Sequence, residues 1–289
     1  VIQEVDRSIF MKLLIMPNSI KQVNELLENI DGIIVGLDKL CINMPYNFSL
    51  DEINELITIC NENDKEIFIS LNKNMFNKDL DYLKEILLTL DSKNITGIFY
   101  YDIAIVNMKE ELNLKVDLVW NQEHLTTNYL TSNFWNEHGA AYTALSSEIT
   151  LDEVKAKLKF TAFGYLPKIV SRRHLVKNYL DTFNLKDNSK INYITKEDKV
   201  YQIIDTIDGT IAYSDKVLNA ISEVSSLDID YIILNSFSIP NDIFKDVTHM
   251  FKNVNSANKE EYKEKIDSML DTYLGFLYKE TIYKVKKND

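Results

Sequence analysis

Arginine is nearly missing from this chain. Of 289 residues only Arg7, Arg172 and Arg173 carry a guanidinium, and all other positive charge is lysine. Cysteine is as scarce: Cys41 and Cys60 stand apart, with no CxxC and no neighbouring Cys/His cluster. Two thiols cannot supply the ligands of a zinc or iron–sulfur site, so no metal cofactor is expected, and both read as free, buried thiols. With 7 Gly and 4 Pro, long irregular linkers are excluded. No apolar run exceeds strand length, which excludes a spanning helix. The opening VIQEVDRSIF lacks the apolar core of a secretory signal, so a cytoplasmic protein is expected. Met11 begins the first convincing strand, and residues 1–10 are expected to be a non-native or unstructured start.

What is present is acid. The formal net charge is −12, which on a uniform surface would repel nucleic acid and anionic lipid. Between Lys155 and Lys190, however, nine Lys or Arg face only Asp181 and Asp187. Such a stretch suits a small anion, an RNA backbone or an acidic partner; the bland alternative is a solvated lysine face. Arg172, Arg173 and His174 lie inside it. A guanidinium holds a carboxylate or phosphate through two parallel hydrogen bonds, which lysine cannot do.

Strand-like and helix-like patterns alternate from Met11 onward. Strands are expected at 12–17, 32–37, 66–72, 97–102, 115–121, 140–145 and 159–165. Helices are expected between them at 19–30, 49–60, 77–90, 103–112, 127–139 and 150–158. Ser49 and Glu52 form a capping-box pattern. This rhythm predicts an α/β protein built as a (β/α)8 barrel, a single domain over 11–289. No GxGxxG follows the first strand, which argues against a doubly wound sheet. Residues 181–215 read as a β-rich insertion before the last unit, which resumes with a helix at 218–227 and a strand at 230–235. Residues 241–289 read as a helical tail, with 258–277 strongly amphipathic.

In such barrels chemistry sits where strands end at their carboxyl side. That rule selects Asn72, Tyr101, Asp102, Ser147 and Asn235 as rim residues. It also selects the candidate ligand-binding set Asn121, Thr127, Asn128, Tyr165, Ser171, Arg172 and Arg173, and the candidate acid–base groups Glu123, Glu148 and His174. His124 belongs to the same loop. Each has a structural alternative: Glu123 and Glu148 as helix caps, the histidines as solvated loop residues, Trp120 and Trp135 as packing. Ser171 near His174 lacks a GxSxG elbow and an orienting Asp, so a hydrolase triad is not expected. No HExxH or comparable metal motif occurs.

Several stretches resemble the peptidase U32 family, the collagenase-like proteins. KLLIMPNSIKQVNELLENIDGIIVGL, FSLDEINELITICNENDKEIFISLN and GIFYYDIAIVNM resemble its amino-terminal barrel. LVWNQEHLTTNYLTSNFWNEHGAAYTALSSEITLDEV resembles a shorter subgroup of low-GC Gram-positive bacteria that includes the first tRNA hydroxylation protein. FGYLPKIVSRRHLVKNY resembles the signature region, and DTIDGTIAYSDKVL the family's "GT…S" strand. The likeness runs from about Met11 to Pro240. It implies a barrel and a part in oxygen-independent hydroxylation of tRNA, with prephenate as co-substrate. It also implies a longer U32 paralogue that brings in the tRNA. The resemblance carries over Asn121, Glu123, Thr127, Asn128, Glu148, Gly164, Ser171 and Arg172. Where the family's signature usually holds cysteines this chain has Pro167 and His174, which speaks against cluster or thiol chemistry. The alternatives are a collagenase-like peptidase and a non-catalytic barrel that binds a small carboxylated ligand. A homodimer is compatible with either, and no membrane contact is expected.

Overall fold

The computed structural model describes residues 11–122, 126–151, 159–187, 189–225, 227 and 229–279. The expected helix at 150–158 therefore lies almost wholly outside the described residues, as do Glu123, His124 and residues 1–10.

Alternation begins with β1 (Lys12–Met16), α1 (Ile20–Leu26), β2 (Gly32–Leu37), β3 (Asn47–Phe48) and α2 (Leu50–Glu62). It continues with β4 (Glu66–Leu71), α3 (Leu80–Asp91), β5 (Gly97–Tyr100), α4 (Ala104–Leu112), β6 (Leu118–Trp120), α5 (Tyr129–Glu137) and β7 (Tyr142–Thr143). Local chemistry sets these boundaries. Ser49 accepts from the Glu52 amide while Glu52 accepts from the Ser49 amide, closing the expected capping box of α2. Asn113 ends α4 in the left-handed region, which asparagine tolerates.

The second half departs from the rhythm. β8 runs from Lys159 to Ser171, twice the expected length. It is followed by α6 (Leu175–Thr182), β9 (Asn192–Lys196), β10 (Lys199–Thr206) and β11 (Gly209–Asn219). Then come α7 (Ile221–Val224), β12 (Tyr231–Asn235), α8 (Asn241–Asn253), α9 (Lys259–Met269) and β13 (Thr272–Tyr273). β8 extends because it changes partner. Its first residues pair in parallel with β12, whereas Phe163 to Ser171 pair antiparallel with β11. Pro167 is accommodated where the β8–β11 register shifts beside Tyr213, at a bulge. Gly164 sits at φ 120°, and a Cβ there would lie 2.7 Å from the Asn235 carbonyl. The tail is not helical throughout: Leu270 is extended, and Thr272 and Tyr273 pair with Val217 and Leu218 of β11.

The strands form one curled sheet in the order β7-β6-β5-β4-β2-β1-β12-β8-β11-β10-β9. All neighbours from β7 round to β8 are parallel, and β8, β11, β10 and β9 are joined antiparallel. Ala144, just past β7, makes an isolated parallel bridge to Lys159 of β8, and the Leu145 amide donates to the Lys159 carbonyl at 3.0 Å.

Side-chain alternation follows from this curl. Ile15, Val35, Ile69, Ile98, Leu118 and Leu234 point to the helices and join the large outer core. Leu14, Ile34, Phe68, Phe99, Val119 and Ile233 point the other way and form an inner cluster on the opposite face of the curled sheet. Each buried side chain of this size contributes about 1.5–3 kcal/mol of transfer free energy. Among the described residues no helix is long and apolar enough to cross a membrane.

Candidate small-molecule site at the strand carboxyl ends

The carboxyl ends of the parallel strands surround two adjoining cavities of about 170 Å³ and 40 Å³. Asn43 after β2, Asn72 after β4 and Asn121 after β6 line both. The outer cavity adds Asn74, Tyr101 and Arg172. The inner one adds Tyr165 and Asn235 and descends to Lys159.

The amides are held by the backbone that carries them. Asn72 Oδ1 accepts from the Ile42 amide at 2.8 Å, and its Nδ2 donates to the Asn43 carbonyl at 3.3 Å. The Tyr213 hydroxyl donates to Asn43 Oδ1 at 3.2 Å, and the Tyr213 ring stacks on Phe237 at 3.9 Å. Cys41 Sγ lies 3.0 Å from Asn72 Oδ1; burial pushes its thiol up to about 12, so it stays protonated.

Among the described residues Arg172 is the only arginine that lines either cavity. Its guanidinium donates to the Asn74 carbonyl and lies over the Phe76 ring, 4.1 Å from the centroid. The turn that carries it is fixed by the insertion. Thr210 Oγ1 accepts from the Leu175 amide at 2.7 Å and donates to the Arg173 carbonyl at 2.7 Å. Gly209, at φ 143°, passes so close that a Cβ would sit 2.0 Å from the Ser171 carbonyl. The preceding Asp208 pairs with buried Lys73 at 2.8 Å, and Lys73 also donates to the Lys39 carbonyl at 2.7 Å. The Asp208-Gly209-Thr210 turn thus ties the insertion to the rim after β4 and β8 together.

Opposite this rim, the inner cluster holds a lysine. Lys159 is 1% exposed, and its Nζ has no hydrogen-bond partner among the described residues. The Nζ lies 3.3 Å from the Phe68 ring centroid and 4.5, 4.6 and 5.0 Å from those of Tyr231, Phe99 and Tyr142. Burial pushes its ammonium down to about 6, against the attraction of Glu66 and Asp230.

Of the residues expected to bind ligand, the structure brings Asn121, Tyr165 and Arg172 to the cavities. Asn128 caps α5 instead, its Oδ1 accepting from the Thr131 amide at 3.0 Å. Thr127 is exposed beside it. Ser171 Oγ accepts from the Arg173 amide at 3.1 Å, and the Arg173 side chain is exposed. His174 occupies the N-cap position of α6 and lines neither cavity, and Glu148 lies exposed beside Lys168 on another face. Trp120 is buried and stacks on Trp135 at 3.7 Å, the packing alternative. Sequence reasoning missed Asn43, Asn74 and Lys159. The strand-end rule, applied to the turn after β2, selects Asn43; no local signal marks Lys159, which reads as the first residue of the expected strand at 159–165.

Comparison with known proteins fits this geometry. The model of peptidase family U32 matches residues 18–284. The chain belongs to that family. It is 23% identical over 307 aligned residues to tRNA hydroxylation protein P2 of Bacillus subtilis (strain 168), a match covering 94% of this chain and 99% of that protein. Two partial matches are tRNA hydroxylation protein P1 of the same organism and an uncharacterized protease of Methanocaldococcus jannaschii. P1 is 24% identical over 109 residues, which cover 38% of this chain and 26% of P1. The protease is 28% identical over 126 residues, which cover 43% of this chain and 30% of that protein. A solved U32 peptidase structure superposes with a TM-score of 0.52 at 11% identity, covering 80% of this chain and 94% of that one, a likeness of fold.

Proposed function

We propose that this chain is a subunit of a tRNA uridine hydroxylation system and that its mouth holds a small carboxylated co-substrate, prephenate being the candidate. The observation that carries the reading is Arg172: one guanidinium, turned into a cavity walled by neutral amides, in a chain similar over nearly its whole length to a tRNA hydroxylation protein. A guanidinium among asparagines favours one anionic group over a neutral ligand, and the amides supply donors and acceptors for hydroxyl or carbonyl oxygens.

The parallel bridge from Ala144 to Lys159 supports a complete (β/α)8 ring within a single domain, with β9 to β11 as an insertion. The chain works in the cytoplasm without a metal of its own, and a longer U32 paralogue supplies most of the tRNA contact. An acidic surface limits the phosphates that it can neutralise alone. For the peptidase alternative the geometry is poor, because Ser171 Oγ accepts from the Arg173 amide and, among the described residues, no base is hydrogen-bonded to it.

Nucleoside mass spectrometry of strains lacking this gene, its longer paralogue, or both tests the reading. Hydroxylated uridine is expected to fall in the single deletions and vanish in the double. Wild-type levels in the double deletion would contradict the proposal.

A further inference from the structure

We propose that a second cavity, on the outer face of the insertion, binds the phosphate of a nucleotide unit. It has a volume of about 670 Å³ and shares no lining residue with the mouth. Five lysines converge on it from separate parts of the chain: Lys168 on β8, Lys196 and Lys199 at the β9–β10 turn, Lys216 on β11, and Lys279. Two carboxylates, Glu148 and Asp215, share the wall, and Asp271 pairs with Lys216 at 2.8 Å.

In a chain of net charge −12, such a gathering is made by the fold and not by a run of sequence. The lysines crowd one another. Burial pushes the half-buried Lys168 ammonium down, and Lys279 and Lys199 push the same way against Glu148 and Asp215. Lys168 and Lys279 both lie against the Phe276 ring, 4.9 and 4.4 Å from its centroid. A phosphate would relieve this repulsion, since ammonium groups serve it as mobile point charges. Tyr201, Tyr273 and Phe276 add the flat apolar surface that a base requires. The volume lies in the range of small-molecule sites. The unit has two sources, a free nucleotide or an unpaired nucleotide of an RNA strand. The inference stands on this cavity and does not depend on the reading of the mouth.

The test is a titration of the full chain at low salt with AMP and with a fluorescein-labelled single-stranded RNA of mixed sequence. Lys196 and Lys199 are exposed, so a Lys196→Gln, Lys199→Gln double variant keeps the fold; Lys245→Gln on α8 is the control. At least one probe is expected to bind wild type and the control equally, and the double variant at least about tenfold more weakly. For RNA, the slope of log affinity against log salt should flatten by about 1.4. RNA binding alone assigns the unit to a strand, and equal binding of AMP assigns it to a free nucleotide. Absence of both, or a double variant that binds like wild type, overturns the inference. So does a loss confined to Arg172→Ala, which would move the phosphate to the mouth.

Discussion

β8 carries a cation at each end, and the two are held in opposite ways. Lys159 opens the strand at the floor of the inner cavity, buried among four aromatic rings with no acceptor for its protons among the described residues. Arg172 follows the strand's last residue, lies over one ring, donates to a carbonyl and lines the outer cavity. The difference follows from the two chemistries. An ammonium can shed its proton and remain buried as a neutral amine, whereas a guanidinium keeps its charge and must be given acceptors or water. The enclosed end is therefore suited to packing, and the open end to holding an anion.

The largest expected effect concerns the enclosed end. The unfolded chain holds the Lys159 proton up to its ordinary 10.5, and the folded chain releases it near 6. Between those values the unfolded state binds more protons, so stability rises with pH; below about 6 this contribution is flat. From pH 6 to pH 9 the gain from this residue is about 4 kcal/mol. Urea unfolding of wild type and Lys159→Met at several pH values should show that slope in wild type only, with the variant more stable at pH 6. Parallel curves would mean that Lys159 keeps its proton in the folded state, and the contrast between the two ends would fail.

A third cation sharpens the comparison. Lys73 is buried like Lys159 but is paired like a surface lysine, with Asp208 at 2.8 Å and Asp79 at 3.7 Å. Asp208→Asn should lower stability by about 3 kcal/mol, because it removes the nearer partner of a buried charge. It should also loosen the turn that positions Arg172, visible as faster amide exchange around Ser171 to Leu175. A variant as stable as wild type would show that the insertion is not anchored through this pair.

The smallest effect belongs to the ring under the guanidinium. Phe76→Leu should weaken anion binding in the mouth by about 0.5–1 kcal/mol while leaving unfolding midpoints nearly unchanged, since Phe76 is half exposed. Calorimetric titration with a small carboxylate reads the difference; an unchanged affinity would assign the ring no part in holding Arg172.

Much of the parallel sheet was legible in the sequence because its cues are local. The runs GIIVGL and EIFISL are buried strands, and the Ser49–Glu52 box opens α2 as read. Arg172 was legible too, from its rarity and its place beyond a strand. The length of β8 was not. FGYLPKIVS contains a proline and reads as strand then loop, and only pairing with β11, some forty residues later, keeps it extended. Nor could spacing show that Asp208 meets Lys73, or that Lys159 sits among rings from β4, β5, β7 and β12. Arg172 and Arg173 looked equivalent as a pair, yet consecutive residues of one turn project apart, and Arg173 is the exposed one.

The most direct test of the mouth as an anion site is calorimetric titration of prephenate into wild type, Arg172→Lys and Arg172→Ala. Binding is expected in wild type. It should weaken by about 1.5–3 kcal/mol in Arg172→Ala, and measurably in Arg172→Lys, because an ammonium cannot replace a two-pronged guanidinium. Equal affinity in all three proteins would contradict the assignment of Arg172 as the group that holds the co-substrate.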